Sequence, residues 1–367
     1  MSEPVVLLAG GGTGGHVFPM VAVADALRAK ANVRVVFVGT ARGMETRVIP
    51  ERGDELELLD VAPIKGKGVL FALKGMAKAA LVLPRAIGLV QRLSPRVVLS
   101  AGGYAAGPVA LAAWSVGVPV AVLEPNGVLG LTNRWLRPFA KRAYVAFPEV
   151  EREFSPNVVS RTGVPLRRAF APAEYTPMPN RFRVLVLGGS QGAVALNETV
   201  PAALALAAPE VSGLDIVHQC GRAHEDKVRA RYEELNLPAR VVPFIDDVAG
   251  ELAAADLVIG RAGAGALAEL CAVGRASLLI PFPFAADDHQ RKNAESLAAA
   301  GAAVCVVQSE ATPERIRDEV LSLSRDTARR VAMAKAARER GVPDAADRVA
   351  RDLLKLAGIA PSEVSHV

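Results

Sequence analysis

Cysteine is scarce in this chain: Cys220, Cys271 and Cys305 are its only three, far apart and without a Cys-x-x-Cys pair. That excludes a disulfide scaffold and a thiolate metal site, and it fits buried thiols in a reducing compartment. Aromatics make up 5%, and no stretch interleaves them with Lys or Arg. A single-stranded nucleic-acid platform is therefore not expected. No basic n-region precedes the first apolar residues, so a signal peptide is not expected either. Charge is missing altogether from Val97 to Leu123, a run long enough to span a bilayer. Yet Gly102, Gly103, Gly107, Pro108, Gly117 and Pro119 interrupt it. We read it as strand (Val97–Ser100), loop, helix (Pro108–Ser115) and strand (Pro119–Leu123). Parallel strands buried on both faces need no charge.

What is present points to a two-domain α/β protein. The chain has 367 residues, 51% apolar and 22% charged, with a formal net charge of +5. That length suits two domains, and the modest positive excess suits an anionic ligand. Strands and helices alternate: Val5–Ala9, helix Phe18–Ala29, Val33–Gly39, helix Arg42–Ile49, Leu56–Asp60, a basic-apolar helical region from Gly68 to Leu93, the Val97–Leu123 unit, then Arg142–Ala146. Pro156, Pro165, Pro172, Pro177 and Pro179 mark Ser155 to Asn180 as a linker. The pattern then restarts with strand Arg183–Leu187, a second glycine-rich turn and helix Leu196–Ala207. Strands at Asp215–Gln219, Arg240–Phe244, Leu257–Gly260, Ser277–Ile280 and Ala302–Val307 follow, and helices Pro313–Ser324, Thr327–Arg340 and Asp344–Leu356 end the chain. This predicts two Rossmann-like, doubly wound parallel sheets facing across a cleft, with ligands beyond the strand C-termini. The domains are placed at residues 1–163 and 164–342, with the C-terminal helix, 343–360, returning to the first.

The glycine loops carry the functional signal. Gly10-Gly11-Gly12-Thr13-Gly14-Gly15-His16 links a strand to a helix, so free N–H groups and the positive helix end suit a phosphate or diphosphate. Its Gly-x-Gly-x-x-Gly spacing matches a dinucleotide fingerprint, but the second strand ends Phe37-Val38-Gly39-Thr40 with no acid for a ribose. A Gly-Lys-Ser/Thr phosphate loop is absent too. A bare tight turn would need two glycines, not five. Gly188-Gly189-Ser190-Gln191-Gly192 is a second such cradle, and Arg261 to Glu269 a third small-residue loop entering a helix. A Glu269 carboxylate there can accept two hydrogen bonds from a ribose diol, or be merely solvated. Asp287-Asp288 can be helix-capping acids, and Gln290 can bind sugar hydroxyls. No Asp-x-Asp occurs, and no metal or cofactor is expected. His218, His224 and His366 read as structural or exposed.

Gly11-Gly12-Thr13-Gly14-Gly15-His16-Val17-Phe18-Pro19, Gly102-Gly103-Tyr104, Glu124-Pro125-Asn126, Thr132-Asn133, the Gly188–Ala193 loop, Phe244-Ile245-Asp246-Asp247 and Gln290-x-x-Asn293-Ala294 occur in that order. Together they resemble the bacterial undecaprenyl-diphospho-muramoylpentapeptide β-N-acetylglucosaminyltransferases of glycosyltransferase family 28, over nearly the full length. The resemblance implies a GT-B fold and an inverting transfer of GlcNAc from UDP-GlcNAc to the C4 hydroxyl of MurNAc in lipid I. The products are lipid II and UDP, in peptidoglycan synthesis and the cell-shape and division processes that depend on it. Alternatives are a related transferase with another lipid acceptor such as diacylglycerol, or a non-catalytic nucleotide-sugar-binding protein.

By motif, Ile245 would meet uracil through its backbone, Glu269 the ribose, and Ser190 with Arg167 the diphosphate. Ala264, Gly265, Ala266, Leu267 and Ala268 would line the donor through their backbone. The family's Ser-Gly-Ala-Leu-Thr-x-x-Glu hydroxyls are absent there. Gln290 and Asn126 would hold GlcNAc, Thr13, Gly14 and Gly15 would close over phosphates, and Gly102, Gly103 and Tyr104 would line the acceptor side. His16 is the first candidate for the base and Glu124 the second. A lipid-linked acceptor implies peripheral attachment at the cytoplasmic face of the inner membrane, with other cell-wall synthesis proteins as possible partners. Lys65, Lys67, Lys74, Lys78, Arg85 and Arg92, among apolar residues of Pro63–Leu93, are the expected anionic-membrane surface.

Overall fold

The computed structural model describes residues 3–61, 82–189 and 191–362. The chain forms two compact units, Met1–Arg168 with Asp344–Val367, and Ala169–Pro343.

Unit 1 is built on a seven-stranded, all-parallel sheet in the order β3-β2-β1-β4-β5-β6-β7. The strands are β1 (Val5–Ala9), β2 (Arg34–Gly39), β3 (Glu55–Leu58), β4 (Val97–Ser100), β5 (Val120–Glu124), β6 (Arg142–Val145) and β7 (Val159–Arg161). Helices α1 (Gly14–Arg28), α2 (Glu45–Glu51), α3 (82–93), α4 (Ala106–Ser115), α5 (Leu131–Leu136) and α6 (Pro148–Glu151) lie between them. β1 shows why its sequence is continuously apolar: Val6 and Leu8 enter one core, Val5, Leu7 and Ala9 the other. Both faces of the sheet are covered, one by α1 and α14 (Ala345–Leu356), the other by α3 and α4. α14 buries Val349, Leu353 and Leu354, each removal from water stabilising by roughly 1.5–3 kcal/mol. Its Asp352 accepts from Tyr144 Oη (2.8 Å) and Arg142 Nε (3.1 Å).

The Val97–Leu123 run is β4, α4 and β5, and no described helix is long and apolar enough to cross a membrane. Two differences from the sequence reading matter. α1 begins at Gly14, four residues before Phe18, so the end of the glycine loop, Gly14 to His16, is already its first turn. β7 lies inside the stretch read as linker, pairing with β6 through Ala143 and Val159. Three residues at a sheet edge are too short to leave a periodicity. The basic-apolar region falls largely outside the described residues, Lys65, Lys67, Lys74 and Lys78 included. Its described end, α3, is an ordinary core helix: Val82, Ala86, Leu89, Val90 and Leu93 are buried, and Arg92 pairs with Glu57 at 2.8 Å. Pro84 lies in the first described turn of α3, and the helical piece expected before it lies outside the described residues.

Unit 2 repeats the plan with six parallel strands in the order β10-β9-β8-β11-β12-β13. These are β8 (Phe182–Leu187), β9 (Leu214–Gln219), β10 (Arg240–Val242), β11 (Leu257–Gly260), β12 (Ser277–Leu279) and β13 (Ala303–Cys305). Helices α7 (Val194–Ala207), α8 (Glu225–Glu234), α9 (Val248–Ala254), α10 (Ala264–Val273), α11 (His289–Ala299), α12 (Pro313–Arg325) and α13 (Thr327–Arg340) surround it. In both sheets the chain reverses its direction of winding beside the first strand. The ligand-binding end of such a sheet is at that reversal, beyond the strand C-termini. In unit 1 the loops there follow β1 and β4, and in unit 2 they follow β8 and β11.

Candidate active site

In unit 1 the glycine loop and the loop after β4 meet. Gly103 lies so close to the Gly11 carbonyl that a Cβ would stand 2.7 Å from its oxygen. A Cβ on Gly102 would touch His16 Nε2 at 3.4 Å. Both glycines have positive φ, so a side chain there is strained as well as crowded. His16 is half-buried, and its Nδ1 is 3.0 Å from the Gly11 carbonyl oxygen. A carbonyl can only accept, so Nδ1 carries the proton and Nε2 presents a lone pair toward Gly102. Thr13, Gly14 and Gly15 form the opening of α1, where the orphan N–H groups of a helix start lie. Tyr104, next to Gly103 in sequence, is exposed.

Glu124 and Asn126 belong to the same unit but do different work from His16. Glu124 is 3% exposed, and both oxygens are fully engaged. Oε1 accepts from the Asn126 amide N–H and Nδ2, each at 3.2 Å. Oε2 accepts from Gly130 N (2.9 Å) and Asn133 Nδ2 (3.1 Å). Four donors use the four lone-pair sites of a carboxylate. This geometry makes Glu124 the organiser of the 125–130 loop and leaves it poorly placed to take a proton. Asn133 extends the network: it donates to the Leu123 carbonyl at 2.9 Å and accepts from Ser100 Oγ at 3.2 Å. Ser100 Oγ in turn lies 3.4 Å from Gly102 N, and Thr132 Oγ1 donates to the Gly103 carbonyl at 3.0 Å. Sequence reading quoted Thr132-Asn133 without a role, and it missed Ser100 and Glu45.

In unit 2, Ser190 lies outside the described residues. Around it, Gly188 N donates to the Gln219 carbonyl (3.0 Å), and a Cβ on Gly192 would stand 2.0 Å from the Cys220 carbonyl oxygen. The loop thus rests directly on the turn after β9. That turn is held from below by a buried polar chain. Tyr232 Oη donates to His218 Nδ1 (2.9 Å), His218 Nε2 donates to Asn197 Oδ1 (3.0 Å), and Asn197 Nδ2 donates to the Cys220 carbonyl (2.9 Å). Burial lowers the His218 pKa to about 3, so it stays neutral and structural. Cys220 and Cys271 are buried and Cys305 half-buried, all as free thiols.

The loop after β11 enters α10 at Ala264, with Leu267 N bonding back to the Gly263 carbonyl at 3.0 Å. The amides of Ala264, Gly265 and Ala266 are therefore first-turn donors, and Cβ atoms built on Gly263 and Gly265 meet nothing within 4 Å. Leu267 is buried, Ala268 is half-buried, and Glu269 is half-buried on the second turn. Gln290 Oε1 accepts from Ala262 N (3.2 Å) and Phe282 N (3.1 Å), so it clamps two loops and offers only its amide nitrogen to a sugar. Asn293 supports the same loop by donating to the Ala262 carbonyl at 3.1 Å. The two residues before α11, Asp287 and Asp288, both hold left-handed φ, 51° and 55°. Ile245 is buried and its neighbour Phe244 exposed at the end of β10, while Asp247 caps α9 through Gly250 N at 2.8 Å. Arg167 is an exposed residue at the end of unit 1's first segment. No group of three or more His, Cys, Asp or Glu among the described residues could hold a metal.

Comparison with known proteins follows this division. Residues 6–145 match the glycosyltransferase family 28 N-terminal domain, and residues 183–349 match the family's C-terminal domain. A protein of Sorangium cellulosum, named a UDP-N-acetylglucosamine–N-acetylmuramyl-(pentapeptide) pyrophosphoryl-undecaprenol N-acetylglucosamine transferase, is 60% identical over 96% of this chain and 88% of its own length. A protein of the same name from Anaeromyxobacter dehalogenans is 44% identical over 96% of the chain and 92% of its own. The crystal structure of Acinetobacter baumannii MurG superposes with a TM-score of 0.81 at 34% identity, covering 96% of this chain and 100% of that one. Two parallel sheets with flanking helices are the GT-B fold of these enzymes. With both halves matched by the family's two domains and a relative 60% identical over 96% of this chain's length, the chain belongs to glycosyltransferase family 28.

Proposed function

We infer that this chain transfers GlcNAc from UDP-GlcNAc to the MurNAc C4 hydroxyl of lipid I, giving lipid II and UDP for peptidoglycan synthesis. The observation that carries this is the 60% identity with a named transferase of that reaction over 96% of the chain. In the step itself the C4 oxygen bonds to the anomeric carbon while the bond from that carbon to the UDP oxygen breaks. The anomeric centre inverts. The hydroxyl proton goes to His16 Nε2, whose lone pair is the free one in this tautomer. The α10 amides, Ser190 and Arg167 take up the negative charge of the departing UDP, with Glu269 on the ribose, Ile245 on the uracil, and Asn126 and the Gln290 amide on GlcNAc. Thr13, Gly14 and Gly15 meet phosphates, and Gly102, Gly103 and Tyr104 face the acceptor. UDP release measured with a lipid I analogue against diacylglycerol tests the acceptor. Turnover with the first alone is expected, and turnover with diacylglycerol alone would replace this reading.

A lipid acceptor requires the enzyme to work at a membrane surface. Unit 1 exposes Trp114 on α4, Val116 just after it, and Leu131 and Trp135 on α5, with Trp114 packed on Phe139 (ring centroids 4.6 Å apart) and the exposed Arg134, Arg137 and Lys141 near them in sequence. Tryptophan beside basic side chains suits an anionic lipid interface. Charge reversal at Lys74 and Lys78 is expected to reduce sedimentation with anionic vesicles. Unchanged sedimentation would mean that this is the wrong surface.

A further inference from the structure

Beneath the first glycine loop lies a carboxylate that the proposed reaction does not use. Glu45, at the start of α2, is 1% exposed. Its Oε1 accepts from Thr40 N (2.8 Å) and Thr40 Oγ1 (3.1 Å), and its Oε2 accepts from Gly12 N at 2.8 Å. Space for it is made by three glycines: a Cβ on Gly11, Gly39 or Gly43 would stand 2.2, 2.4 or 1.9 Å from a Glu45 side-chain atom. The carboxylate thus fills the region between the glycine loop and the end of β2, where a dinucleotide would place its ribose.

The Gly12 N–H and the Gly11 carbonyl belong to one peptide group. In a trans peptide these two point in opposite directions within a common plane. One edge of the plane therefore donates to Glu45 (2.8 Å) while the opposite edge accepts from His16 Nδ1 (3.0 Å). Gly11 and Gly12 have φ of +150° and +90°, so this Gly–Gly link has the conformational freedom to rotate its plane. Rotated by half a turn, it would aim the Gly11 carbonyl at the Glu45 carboxylate, oxygen against oxygen. It would also aim an N–H at His16 Nδ1, which would then have to be the acceptor, moving the ring proton to Nε2.

We propose that Glu45 is a positioning residue that selects the tautomer of His16 through the Gly11–Gly12 peptide, keeping the Nε2 lone pair available to the acceptor hydroxyl. The carboxylate holds the peptide in one orientation, and the peptide holds the imidazole. The inference rests on the reading of His16 as the base, and its test separates the two.

Glu45→Gln is nearly isosteric, but its amide group can donate to a rotated Gly11 carbonyl, so it favours the other orientation. Nitrogen-15 NMR of the imidazoles, with His16 identified by signal loss in His16→Ala, reads the tautomer directly. Expected are Nδ1–H in the wild type and Nε2–H in E45Q. The E45Q kcat should fall about 10- to 100-fold, as on loss of the partner that orients a working histidine, with the KM for UDP-GlcNAc within about twofold. In a His16→Ala background E45Q should add no further loss. An Nε2–H wild type overturns the proposal even if E45Q does not fold. So does an E45Q that keeps both tautomer and rate, or one whose loss multiplies with that of His16→Ala. A His16→Ala enzyme with wild-type kcat would instead remove the base assignment, while the NMR result would still decide what Glu45 does to the ring.

Discussion

His16→Ala is expected to lower kcat for GlcNAc transfer by roughly 10²–10⁴-fold, the usual contribution of a positioned general base. The KM for UDP-GlcNAc should change little, because most of the proposed donor contacts lie in unit 2. The argument is geometric. Among the unit 1 candidates, His16 has a ring nitrogen whose lone pair accepts from no donor among the described residues, and that nitrogen faces the Gly102 loop. Glu124 has none. Single-turnover transfer with saturating lipid I analogue isolates the chemical step from product release. A His16→Ala rate within threefold of wild type in that assay would show that another group takes the proton.

Much of the fold is legible in the amino-acid sequence. The bounds of β1, β4 and β11 follow their apolar runs, because a parallel strand buried on both faces is built mostly of apolar residues; the polar ones it does hold, such as Ser100, sit at its C-terminal end. The start of α1 was not legible. Gly14 and Gly15 are poor helix formers, yet tertiary packing of Val17, Met20 and Val21 carries the helix back through them. The glycines themselves were read as a cradle for a ligand, and Gly11, Gly39 and Gly43 prove to make room for Glu45 as well. A contact between residues 33 positions apart leaves no local pattern, so the absence of an acid directly after β2 hid an acid reaching the same place from α2. Gln290 was similar: its residue type suggested a sugar ligand, and only the fold reveals that its oxygen is spent on Ala262 and Phe282.

Removing the Glu124 carboxylate should cost unit 1 more stability than any surface change. Glu124→Ala removes the acceptor of the backbone amides of Asn126 and Gly130, of the Asn126 side-chain amide, and of one of the two Asn133 Nδ2 N–H groups, the other staying on the Leu123 carbonyl. Hydrogen bonds to a charged acceptor are worth about 1.5–3 kcal/mol each, and water entering the loop restores part of that. A net loss of about 3–5 kcal/mol is expected, comparable to breaking a buried ionic contact. The chain reports this selectively, since its two tryptophans, Trp114 and Trp135, both lie in unit 1. Their fluorescence in urea follows that unit alone, and Trp135 is two residues from Asn133. Glu124→Gln keeps one oxygen for one pair of donors and turns an N–H₂ on the other pair, so roughly half the loss is expected. Activity should track stability across the two variants, with E124Q retaining a substantial part of the wild-type kcat once folded. A proton acceptor would behave in the opposite way. E124Q would then be as stable as the wild type and inactive, and the roles assigned to Glu124 and His16 would have to be exchanged.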